Sequence, residues 1–114
     1  MHELSIAQSI LDLATEEAKL RGAVQIHSIH LRLGPLSGVA KEALLSAFDL
    51  AREYYPCPGA QLQIEETPLT AHCPTCGRAQ KLVSMQELRC ADCGTPIHEL
   101  ESGNELEVVA LELQ

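Results

Sequence analysis

Hydrophobic and polar positions divide the chain into a few periodic segments. Over residues 6–21, Ile6, Ala7, Ile10, Leu13, Ala14 and Ala18 fall on one helical stripe, Ser5 and Gln8 stand at capping-box spacing, and Gly22 follows as a stop. This predicts a first helix beginning near Ser5. Residues 24–33 end in a period of two, with Ile29, Leu31 and Leu33 on one face and His30 and Arg32 on the other, which predicts a half-buried strand. Gly34-Pro35-Leu36-Ser37-Gly38 reads as a turn, and residues 40–54 return to helical spacing at Leu44, Ala47, Phe48 and Ala51 before Pro56. Leu62 and Ile64 alternate with Gln61, Gln63 and Glu65, while Val109, Leu111 and Leu113 alternate with Ala110 and Glu112. Two further strands are predicted.

The last two strands bracket a segment with different chemistry, so the expected fold class is α+β. It has a small sheet of about three strands with two helices, plus an inserted zinc-ribbon-like lobe. Residues 1–70 with 104–114 form the α+β domain in this reading, and 71–103 form the metal-binding domain. At 114 residues the chain has room for one ordinary domain, or for a small domain and a minimal module, but not for two full cores. Aromatics are limited to Phe48, Tyr54 and Tyr55, so the core must come from Leu, Ile, Val and Ala.

Charge sharpens the division. Eight Lys and Arg against sixteen Asp and Glu give a net charge of −8, which excludes a generic nucleic-acid grip. Residues 1–72 carry −4 and residues 99–114 carry five acids with no base, yet residues 73–98 carry +1. The start, Met1-His2-Glu3, has an acid where a secretion signal has positive charge, and no apolar run approaches the ~18 residues of a membrane span. The sequence therefore reads as soluble and cytoplasmic, with no membrane contact.

Cys73-Pro74-Thr75-Cys76-Gly77 and Cys90-Ala91-Asp92-Cys93-Gly94 are two copies of one knuckle. Glycine after the second thiol tolerates positive φ and lets backbone amides turn toward sulfur. Four thiolates at this spacing suit tetrahedral Zn(II), although a single iron fits the same geometry, and redox dithiols are a further alternative. The thirteen residues between the pairs fall slightly under the ~15–20 usual for zinc ribbons. A closed four-cysteine shell leaves no position for substrate, so a zinc there would be structural. Arg78, Lys81 and Arg89 are placed to offset part of its formal −2. His72 and His98 flank the cysteines as supporting candidates, His27 and His30 face opposite sides of a strand, and Cys57 has no assigned role.

At the other end, a terminal amine, the next peptide nitrogen and the His2 imidazole can close two fused chelate rings, a geometry that suits Ni(II) or Cu(II). A solvated terminus with no metal is the plainer reading of that tripeptide.

Taken together, Met1-His2-Glu3-Leu4-Ser5, the run Leu31-Arg32-Leu33-Gly34-Pro35-Leu36-Ser37-Gly38-Val39, Gly59-Ala60 with Leu62, and the paired CxxC motifs resemble the HypA/HybF-type hydrogenase nickel-incorporation proteins. The resemblance spans essentially the whole chain. It implies a nickel metallochaperone of [NiFe]-hydrogenase maturation that is not an enzyme. By position it implies Met1, His2 and Glu3 as the nickel site, with His2 as principal ligand, and Cys73, Cys76, Cys90 and Cys93 as zinc ligands. It further implies the GTPase HypB and the [NiFe]-hydrogenase large-subunit precursor as partners, and urease maturation proteins for some members. Some members carry His beside the zinc cysteines and change zinc coordination with pH; Gly77 and Gly94 stand there in this chain, so that switch is not expected. The competing reading is a zinc-ribbon interaction adaptor without a nickel role, and no nucleophile–base constellation or open metal site supports an enzyme.

Overall fold

A computed structural model describes residues 3–56, 59–97 and 100–114, leaving out the side chain of Glu101. Met1, His2, Cys57 and His98, named above, lie outside the described residues. The chain divides into two compact units. The first comprises Met1–Arg32, Val39–Glu65 and Glu107–Gln114, and the second Leu33–Gly38 with Glu66–Leu106. The second unit thus includes the turn at 33–38, which the sequence reading left with the first domain.

In the first unit, α1 (Glu3–Leu20) and α2 (Lys41–Ala51) pack against each other. They cover a sheet ordered β2 (Gln61–Glu66), β1 (Ile26–Leu33), β6 (Leu106–Leu113). Helix α1 starts two residues before Ser5, so Ser5 sits inside the first turn instead of capping it. An acid at Glu3 suits the positive end of the helix dipole there. At the far end Gly22 has φ +67°; its N–H bonds to Lys19 and the Ala23 N–H to Ala18, closing the helix in a Schellman motif.

The buried line on α1 is Ala7, Ile10, Leu11, Ala14 and Ala18. Leu13, placed by periodicity on that stripe, is 50% exposed because Leu11 occupies the i+4 line from Ala7. Leu44, Phe48 and Ala51 from α2, Ile26, Ile29 and Leu31 from β1, and Ala60 just before β2 complete the core. The Tyr55 hydroxyl donates to the Asp12 carboxylate at 2.7 Å, tying the segment after α2 to α1.

Gln25 and Gln114 exchange backbone hydrogen bonds of 3.0 and 2.9 Å just beyond the ends of β1 and β6, the reciprocal pattern of an antiparallel pair. The alternation in β6 is interrupted. Val108, Leu111 and Leu113 pack on the core, whereas Val109, expected on the inner face, is 43% exposed. A matching interruption in β1 leaves Ile26 and Ile29, three residues apart, both buried.

The second unit is built on a sheet ordered β4 (Arg78–Lys81), β3 (Thr70–Cys73), β5 (Leu100–Ser102). These strands, of three or four residues, are too short for periodicity and were absent from the sequence reading. β3 pairs antiparallel with both neighbours, with Cys73 opposite Arg78 and a register shift toward β5 between Thr70 and Ala71. The turn after β1 is anchored within this unit by the Gly34 N–H to Glu105 at 2.8 Å and the Leu36 N–H to Gly103 at 2.6 Å. A Cβ at Gly34 would stand 2.2 Å from the Gly103 carbonyl oxygen, so only glycine permits this approach. No described helix is long and apolar enough to cross a membrane.

Candidate metal centre

The second unit has a small core of Ala71, Leu82 and Ile97, completed by Cys73 and Cys90. Each CxxC turns in the same way. The Gly77 N–H bonds to the Cys73 carbonyl at 2.8 Å and the Gly94 N–H to the Cys90 carbonyl at 2.9 Å. The two glycines have φ +71° and +78°, with no atom within 4 Å of where a Cβ would stand. Backbone conformation, not lack of space, therefore selects glycine. In the first knuckle the Cys76 N–H also points to Cys73 Sγ at 3.4 Å.

All four Sγ atoms lie within 4.8 Å of one another, and the cysteines are free thiols. Cys73 Sγ is 3.5 Å from Cys93 Sγ, and Cys76 Sγ is 3.9 Å from Cys90 Sγ. These approaches run between the knuckles, as a shared ion requires. Metal–sulfur bonds of about 2.3 Å in a tetrahedron set sulfur–sulfur edges of ~3.8 Å, so the donor set fits a tetrahedral thiolate-bound ion. Among the described residues no other group of three or more His, Cys, Asp or Glu side chains brings its ligand atoms this close.

The four thiols are not equivalent. Cys93 is exposed, and its pKa is lowered to about 6, first by the hydrogen bond to the Thr95 hydroxyl and then by the Thr95 backbone. Cys76 is raised to about 12, chiefly by its hydrogen bond with Cys93 and next by desolvation. The two shifts have opposite directions, and a bound divalent cation favours the deprotonated form at every position. The Thr95 hydroxyl lies 3.1 Å from Cys93 Sγ and 2.8 Å from the Thr75 hydroxyl, linking the two knuckles. Neither threonine was singled out from sequence, although each sits beside a knuckle cysteine or glycine.

Of the other residues named from sequence, His72 is exposed on β3 opposite Ala79 and outside the thiol cluster. Arg89 is engaged by Glu87 in an ion pair. On β1, His30 Nε2 meets the Glu112 carboxylate at 2.7 Å and His27 meets Gln114. These histidines fasten strand to strand instead of sharing a metal site. Glu3, half-buried, opens α1, while Met1 and His2 lie outside the described residues.

The sequence model of the family described as "Hydrogenase/urease nickel incorporation, metallochaperone, hypA" matches residues 1–113. A hydrogenase maturation factor HypA from Roseiflexus sp. (strain RS-1) is 43% identical over 114 residues, covering 100% of this chain and 93% of the relative. One from Chloroflexus aggregans is 44% identical over 112 residues, covering 98% of each. Among solved structures, the Ni metallochaperone HypA from Helicobacter pylori aligns with a TM-score of 0.68 at 29% identity, over 99% of this chain and 97% of that one. A second solution structure of a HypA protein aligns with a TM-score of 0.73, also at 29% identity, over 100% and 97%. A matching fold, a four-thiol lobe and relatives aligned along the full sequence lead to one conclusion: the chain belongs to the HypA family of hydrogenase/urease nickel-incorporation metallochaperones.

Proposed function

We propose that this chain binds Ni(II) at its N-terminus and delivers it for [NiFe]-hydrogenase maturation, acting by binding and not by catalysis. The observation that carries this reading is the family match, which runs from residue 1 and so takes in Met1-His2-Glu3. The His2 imidazole, the Met1 amine and the backbone nitrogens of His2 and Glu3 form the proposed nickel site. A few nitrogens at a chain end release their ion more readily than an enclosed shell would. The GTPase HypB and the hydrogenase large-subunit precursor are the proposed partners, urease maturation proteins are further ones, and the cytoplasm is the proposed compartment.

Zinc is the proposed occupant of Cys73, Cys76, Cys90 and Cys93, where a closed thiolate shell supplies structure and no open coordination position. Nickel, by contrast, is cargo. The positive end of the α1 dipole disfavours a dication beside it, and Glu3 in the first turn offsets this with its charge. Glu3→Gln is expected to weaken nickel binding, and an unchanged affinity would remove Glu3 from the site.

Calorimetric nickel titration tests the reading, comparing chain that starts at Met1 with chain extended before Met1. Stoichiometric binding in addition to zinc is expected only for the unextended form, because extension removes the amine ligand. Affinity should fall as pH drops below neutral, since amine and imidazole, with reference pKa values of ~7.7–8.0 and ~6.5, must both be deprotonated to ligate. Equal binding by the extended chain would place the site elsewhere, and no binding by either would favour the interaction adaptor.

A further inference from the structure

Strand β6 has β1 on one side, and among the described residues no strand pairs with its other edge. Its sequence, Leu106-Glu107-Val108-Val109-Ala110-Leu111-Glu112-Leu113, contains neither Lys nor Pro, two common guards of an open edge. Beside it, Leu13, Glu17 and Arg21 of α1 and Val108–Ala110, Leu111 and Leu113 of β6 line a groove of about 420 Å³. Leu13 is 50% and Val109 43% exposed at its margins, and Glu17 and Arg21 are paired with each other at 3.4 Å. An open strand edge supplies hydrogen bonds to an extended chain, and the apolar lining supplies contact for alternate side chains.

Charge selects the occupant. Arg32 is shared between Glu65 at 3.5 Å and Glu107 at 3.4 Å, so one guanidinium faces two carboxylates. Further along the strand stands Glu112. If a second copy paired antiparallel with β6 so that all eight residues overlapped, Glu107 of each copy would face Glu112 of the other, a like-charge opposition that destabilises a sheet. A different segment with basic residues at those positions turns that repulsion into attraction. We propose that the open edge of β6 and the groove between β6 and α1 take up an extended segment of another protein, apolar apart from two basic residues five positions apart that stand opposite Glu107 and Glu112. Nothing in this surface depends on the nickel-carrying reading above.

The test titrates the full chain with two capped peptides as long as β6, eight residues, apolar except at their second and seventh positions, which are Lys in one and Glu in the other. Binding is followed by chemical shifts and amide exchange. Saturable binding of the Lys peptide is expected, with exchange slowed in β6 and Val109→Lys weakening it about tenfold or more. Val109 is exposed, and retained amide protection in α1 and α2 would show that the variant still folds. The proposal fails if both peptides bind alike, if neither binds, or if the shifts map away from α1 and β6. It also fails if the chain alone forms a dimer that Val109→Lys dissociates, which would assign the edge to a second copy.

Discussion

The two units solve the problem of stability differently. The first buries twelve apolar residues from two helices, a strand and a loop, enough for side chains to hold one another without a ligand. The core cluster of the second has five among the described residues, two of them cysteines, and its strands are three or four residues long. So small a core offsets little of the entropy of ordering its loops, and a metal held by the four thiols, as proposed, would make up the difference. A structure-giving ion and a deliverable ion have opposite requirements: the first needs a closed shell tied into a core, and the second a site whose loss leaves the fold intact.

Cys73→Ser breaks the contrast most forcefully. Zinc contributes about 10–16 kcal/mol to the folding of small zinc modules, so the variant should lose amide protection throughout residues 66–106 while α1 and α2 keep theirs. Exhaustive chelation of the unmodified chain should have the same regional effect, and unchanged protection in the second unit would refute a structural metal. Phe48→Ala is the converse experiment. Phe48 is the largest fully buried side chain and the sole buried aromatic among the described residues. Its truncation should cost the first unit about 3–5 kcal/mol in denaturant unfolding, with zinc content unaltered.

Gly34→Ala is expected to act next in size. The new methyl meets a backbone oxygen that cannot swing aside, costing about 1–3 kcal/mol and loosening the 33–38 turn, which exchange at Leu36 would report. The smallest effect concerns Glu112, whose pKa is lowered first by its hydrogen bond from His30. A carboxylate depressed in the folded state stabilises fully above its unfolded pKa, and the contribution is lost as pH falls through the folded value. His30→Ala should therefore raise the Glu112 titration midpoint in carboxyl NMR, narrowing the acid range in which the first unit holds. An unmoved midpoint would show that the contact is absent in solution.

Legibility in the sequence followed the same split. Both helices and the strands of the first unit announced themselves because a core of many residues imposes a period on each element. Errors arose where local contacts overrode the period: at Leu13, displaced by Leu11, and at Val109, displaced by the interruption in β6. In the second unit the pairing of the four clustered cysteines was plain from spacing alone, yet β3, β4 and β5 were invisible, since a lobe organised around sulfur needs little apolar alternation. Gly34 was legible as a turn residue, but not its contact with Gly103, which joins positions far apart in the chain. Thr95, whose hydroxyl lowers the Cys93 pKa, carries no motif of its own.

The proposed roles of nickel as cargo and zinc as structure are separable in a single experiment. Elemental analysis of nickel-loaded chain starting at Met1, compared with His2→Ala prepared identically, reads both metals at once. Stoichiometric zinc in both proteins, with nickel lost from the variant, is the predicted result, because the proposed zinc site is built from Cys73, Cys76, Cys90 and Cys93 alone. Stoichiometric nickel retained by His2→Ala, or nickel and zinc lost together, would contradict it.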